Sequence, residues 1–140
     1  WNARGQPERR IVLARRRAYH GVTLASASLT GLPMMHGGFH LPQPFVRHLT
    51  SPHFVQQGLP GETEEQFSER LAGELEATIA AEGADRIAAF IAEPVIGAGG
   101  VIVPPRGYFE RIQPILAAHG ILFIVDEVIT GLGRLGTMWG

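Results

Sequence analysis

Two acidic residues, Glu93 and Asp126, each follow directly on an unbroken apolar run, and Tyr19-His20 comes shortly after a third. An acid at the end of a fully apolar strand is costly to bury unless it has a partner. Taken singly, such an acid reads as a helix cap or half of a salt bridge. Two of them, with an aromatic at the equivalent place, read instead as a ligand site beyond the carboxyl ends of strands. Asp126 and Val128 are two apart, which puts both on one side of an extended segment, and Val128 taken alone reads as ordinary core. After Glu93, Gly97, Gly99 and Gly100 in AEPVIGAGG let the backbone turn tightly or approach a ligand. A further chemical fact is a lack. All 12 basic residues of the Lys+Arg count are arginines, so no lysine is present and a Schiff-base mechanism has no amine in this chain.

The elements that must position these groups can be read from the apolar pattern. Residues 11–14 form a short β-branched strand, and residues 22–30 a helix of small residues ending before Gly31. Residues 32–61, rich in Pro, Gly and His, read as one long loop. Thr63 with Gln66 is a capping-box pattern, and Phe67, Leu71, Leu75 and Ile79 share one face of the helix that follows and stops at Gly83. Residues 87–92 and 121–125 are continuous apolar strands. Between them a helix over 108–119 turns Phe109, Ile112 and Leu116 inward and stops at Gly120, with Pro114 expected to kink it or delay its start. Strands apolar on both faces, alternating with amphipathic helices, predict an α/β fold: a mostly parallel sheet with helices on both faces.

At 140 residues, 45% hydrophobic and 18% charged, the chain has the composition of one packed domain. A net charge of -1 argues against a nucleic-acid partner, which calls for a basic surface. No apolar run approaches the ~20 residues that cross a bilayer, so no membrane partner is expected. Without cysteine there is no disulfide and no thiolate metal site; the cytoplasm is the expected compartment. Both ends read as truncation points. His36 and His40 are four apart, but Gly37, Gly38 and Pro42 oppose the helix that metal binding would need, and His48 and His53 stand beside prolines. The run Arg15 to Arg17 could attract phosphate, but a short charge run more often reads as a solvated face. TGLGRLG, 130–136, follows a strand but lacks the spacing and closing helix of a dinucleotide site.

Three stretches, ARRRAYHGVTLASASLTGLP, IAEPVIGAGGVIVPPRGYFERI and ILFIVDEVITGLGRLGTMWG, in that order, resemble the class III aminotransferases, pyridoxal-phosphate enzymes of fold type I. The resemblance covers nearly the whole chain. It implies that residues 1–140 are part of the large, cofactor-binding domain, short of the Schiff-base lysine that lies further along in the family. The cofactor implied is pyridoxal 5'-phosphate. Asp126 would pair with its pyridine nitrogen, Tyr19 and Val128 would stack on its two faces, and His20 and Glu93 would support it. A carboxylate at the nitrogen favours the pyridinium and makes the ring a better electron sink. Ala98 stands where relatives acting on ornithine or 4-aminobutyrate with 2-oxoglutarate carry glutamate. That points to the ω-amino acid and amine aminotransferases that use pyruvate. The implied partners are an amino donor and a keto acid acceptor, within a homodimer. An aminomutase or decarboxylase of the same fold would share these motifs. The isolated chain reads as a non-catalytic α/β piece with exposed sheet edges.

Overall fold

In the computed structural model all 140 residues are described. Four strands, β1 (Ile11–Arg15), β2 (Val46–Leu49), β3 (Ile87–Ala92) and β4 (Leu122–Val125), form one sheet in the order β2-β1-β3-β4. Every pairing is parallel. Helices α1 (Leu24–Leu29), α2 (Phe54–Gln57), α3 (Glu64–Glu82) and α4 (Tyr108–Ala118) lie between them.

Strand alternation assigns the two faces. Ile11, Leu13, Leu49 and Phe90 share a cluster with Phe67, Leu71, Leu75 and Ile79 of α3 and with Tyr108, Ile112 and Leu116 of α4. Arg47, in phase with Leu49, pairs with Glu82 of α3 on this same side. His48 is out of phase with both, and its Nε2 donates to the Leu29 carbonyl of α1 at 3.1 Å. Helix α1 therefore covers the opposite face, and the expected architecture stands.

The α3 helix begins as its sequence indicates. Gln66 N–H donates to Thr63 Oγ1 at 3.2 Å, and Thr63 N–H donates to Gln66 Oε1 at 2.9 Å. Replacing Thr63 with Ala is expected to cost about 1 kcal/mol. The loss should be read as faster amide exchange in the first turn of α3 with α4 unchanged; equal exchange in wild type and variant would remove the cap's role.

Two expectations need correction, and for Pro114 one of two alternatives falls away. The stretch 32–61 is not one loop, because it contains β2 and α2. Strand β2 has only four residues, with Arg47 and His48 at its centre, so it lacks the apolar signature of its neighbours. Helix α4 starts at Tyr108 and runs on through Pro114, which does not delay it; the Glu110 carbonyl gives up its i+4 donor instead. Finally, β4 is not covered on both sides. Leu122, Ile124 and Val125 are 49%, 44% and 41% exposed. As an edge strand β4 has a partner on one side only, and α4 alone of the helices packs closely on it.

Candidate functional site

From β1 the chain passes outward to β2, whereas β3 and β4 build the sheet in the other direction. The carboxyl ends of β1 and β3 thus flank the switch point, where an open parallel sheet leaves a crevice. The segments after β1, β3 and β4 meet there around a cavity of about 200 Å³. Tyr19, His20, Glu93, Asp126 and Val128, all five residues singled out in the sequence, line it, together with Ala98.

Asp126 is fixed at the exit of β4 by its own N–H, which donates to the Ala92 carbonyl at 2.8 Å. Its Oδ2 lies 2.8 Å from His20 Nδ1, and its Oδ1 accepts the Val128 N–H at 3.2 Å. An ionised carboxylate only accepts, so Nδ1 carries the proton in this contact. His20 itself is anchored by its N–H to Thr30 Oγ1 at 2.9 Å, while its buried Nε2 has no partner. The segment after β4 is a turn rather than extended strand. Val128 and Asp126 are therefore brought to one cavity by the side-chain-to-backbone bond, not by strand alternation. Burial as core is excluded for Val128, which is 92% exposed.

Glu93 is only 4% exposed, and both its oxygens are used. Oε1 accepts the Tyr19 N–H at 3.0 Å and Oε2 the Gly97 N–H at 2.9 Å. The carboxylate therefore clips the segment after β1 to the glycine loop after β3. In that loop Ile96 and Ile102 pair antiparallel across a tight turn. A Cβ on Gly99 would lie 1.9 Å from the Arg17 carbonyl oxygen, and one on Gly97 would lie 2.0 Å from Ile129 Cδ1.

Arg15 departs from the reading of its run as a solvated face, which the exposed Arg16 keeps. Arg15 is fully buried, and its Nη2 donates to the Glu93 carbonyl at 2.6 Å. Its guanidinium lies 5.9 Å from the Tyr108 ring. Burial pushes the Tyr108 phenol above its ordinary pKa, with Arg15 opposing that shift. Thr30 and Ile129 were also missed. Thr30 makes its contact from the end of α1, and no local pattern marks either residue. His36 donates its Nε2 hydrogen to backbone carbonyls, at 2.8 Å to Thr30 and 3.1 Å to Ala27.

The donor set fits the ring end of a pyridoxal group. Each oxygen of Asp126 accepts one bond and retains capacity for another. Tyr19 and Val128 offer open aromatic and aliphatic surface beside it, at 37% and 92% exposure. No arginine lines this cavity, so no guanidinium is placed there for a phosphate.

A mostly parallel sheet with helices on both faces is the architecture of the large domain of fold-type I pyridoxal-phosphate enzymes. Over residues 1–140 the sequence matches the family Aminotransferase class-III, and the chain belongs to that family. The class III aminotransferases depend on pyridoxal phosphate.

The chain is 60% identical over 139 residues to a protein of Oryza sativa named "Probable gamma-aminobutyrate transaminase 2, mitochondrial", covering 99% of this chain and 28% of that protein. It is 58% identical to the vanillin aminotransferase of Capsicum frutescens, covering 99% of this chain and 30% of the relative. Among solved structures, the omega transaminase of Pseudomonas jessenii in complex with PMP superposes with a TM-score of 0.97 at 54% identity, covering 99% of this chain and 30% of that one. The chain thus spans under a third of the relatives it resembles. No helix is long and apolar enough to cross a membrane.

Proposed function

We propose that the parent of this chain transfers an amino group from an ω-amino acid or amine to a keto acid such as pyruvate, using pyridoxal phosphate. The observation that carries the reading is the convergence of Tyr19, His20, Glu93, Asp126 and Val128 on one strand-end cavity in a class III chain. Bound there, the cofactor supplies an electron sink for the carbanion formed at the substrate carbon. Asp126 holds the proton on the pyridine nitrogen, and His20 orients Asp126. Tyr19 and Val128 press on the two faces of the ring, and Glu93 keeps the Tyr19 segment in place. Ala98, on the cavity wall, supports a pocket without the glutamate of the 2-oxoglutarate-using relatives. The rice relative's name, a probable gamma-aminobutyrate transaminase, supports an ω-amino acid donor, and the pepper relative's name, a vanillin aminotransferase, supports reaction between an aldehyde and its amine.

Residues 1–140 are assigned to the cofactor-binding large domain of a homodimer that needs neither nucleic acid nor membrane. The chain by itself is inactive, because it has no lysine. The cytoplasm is the proposed compartment; the rice relative's mitochondrial name makes fractionation the check.

The test adds pyridoxal phosphate to this chain and to a form extended through the next lysine. Only the extended form should gain an imine absorbance band, trapped by borohydride on that lysine. A folded extended protein without the band would refute the reading. Mixing the full enzyme with an amine and pyruvate should yield alanine; carbon dioxide or an isomerised donor would show a decarboxylase or aminomutase instead.

A further inference from the structure

A second, larger cavity of about 450 Å³ opens at the carboxyl ends of β1 and β2, and it shares no lining residue with the cavity around Asp126. Arg16, Arg17, His36, His48, Thr50 and Ser51 supply its polar wall, and no carboxylate lines it. Neither guanidinium has an acidic partner; the ion pairs of the chain lie on Arg10, His20, Arg47, Arg70 and Arg106. Both residues line the concave wall, Arg16 with an exposed side chain, and an unpaired cation at a concave surface attracts an anion.

The wall is built rather than loosely draped. Arg17 sits in the left-handed region at φ 68°, with its N–H donating to the Gly31 carbonyl at 2.8 Å. A Cβ on Gly31 would stand 2.1 Å from the Arg15 carbonyl oxygen, so the two segments touch backbone to backbone. Ser51 is 3% exposed, and its Oγ has no hydrogen-bond partner. A buried hydroxyl left unpaired costs about 1–3 kcal/mol, which an acceptor in the cavity would relieve.

Behind Thr50 stands the Glu74 carboxylate, whose Oε1 accepts both Thr50 N–H and Thr50 Oγ1–H at 3.1 Å. His48 is held below its ordinary pKa chiefly by burial, with the Leu29 carbonyl opposing and the charges of His36 and Arg16 adding to the lowering.

We propose that this cavity is an anion site for a small oxyanion, phosphate or carboxylate, held by the Arg16 and Arg17 guanidinium groups and by the Ser51 hydroxyl. The site is independent of the cofactor cavity and of the reaction proposed for it.

The experiment uses the full-length enzyme loaded with cofactor, so that the cofactor's own phosphate position is filled. Inorganic phosphate and, separately, acetate are titrated calorimetrically at low ionic strength. Phosphate should bind once per chain. Arg17→Gln should weaken it about tenfold, the loss of one charge-assisted hydrogen bond. Arg16→Gln guards against misfolding at the left-handed position and should weaken binding in the same sense. Ser51→Ala should do so less, with the visible absorbance of bound cofactor unchanged in all three. Tighter binding of acetate than of phosphate would identify a carboxylate as the ligand class, and the reverse a phosphate. Absence of binding by both anions overturns the proposal, as does binding indifferent to both arginine substitutions.

Discussion

Asp126→Asn in the full-length enzyme is expected to lower kcat by about a hundred- to a thousandfold, the size of losing one preorganised electrostatic contact. Asparagine keeps the shape and can still accept the Val128 N–H that Oδ1 now receives at 3.2 Å. It has no charge, however, and it can turn an NH₂ toward His20 Nδ1, where Oδ2 now stands 2.8 Å away. With that carboxylate gone, the cavity's other acid, Glu93, is committed to the Tyr19 and Gly97 N–H groups, and no free carboxylate is left to favour a protonated ring nitrogen. The check is kcat with a saturating donor, beside the absorbance of the bound cofactor and the melting temperature. Activity within twofold of wild type, in a variant that loads fully and melts normally, would remove Asp126 from the electrostatics of the reaction.

The second large effect belongs to Glu93. Glu93→Ala leaves the N–H groups of Tyr19 and Gly97 without acceptors in a partly buried setting. At about 1–3 kcal/mol for each orphaned donor, the variant should lose about 2–6 kcal/mol. Glu93→Gln restores one acceptor and sets an NH₂ against the other N–H, so it should fall between Ala and wild type. The stability series wild type, Gln, Ala, measured by denaturation of the full-length protein, tests the clip. If the alanine variant matches wild type, water satisfies both donors and the contact holds nothing.

How much of this was legible beforehand depended on the range of the interaction. The α3 helix was plain because its signals are local: Thr63 and Gln66 at capping-box spacing, and apolar residues four apart. β3 was plain because six apolar residues in a row have few alternatives. β2 was hidden because half of it is Arg47 and His48, whose suitability for a strand comes from Glu82 and the Leu29 carbonyl, residues distant in sequence. The same limit applied at the site. A ligand site at strand ends followed from the placement of Glu93 and Asp126, but their partners did not. That Glu93 spends both oxygens on backbone, and that Asp126 meets His20, depends on how three loops converge. Arg15 was misread for a related reason: nothing in a run of three arginines tells which one points into the core, and the strand's phase decides it.

For anyone diversifying this enzyme toward new substrates, the glycine loop after β3 divides into positions of very different tolerance. Position 98 faces the cavity, and its side chain can be varied to resize the pocket. Position 99 is closed, since any Cβ there meets a backbone oxygen at 1.9 Å that cannot move without shifting the Tyr19 segment. Position 97 is conditional: its obstacle at 2.0 Å is the tip of Ile129, so a larger residue there becomes admissible once 129 is made smaller. A library that randomises all three independently would spend most of its members on collisions, whereas one that varies 98 freely and couples 97 to 129 samples foldable sequences.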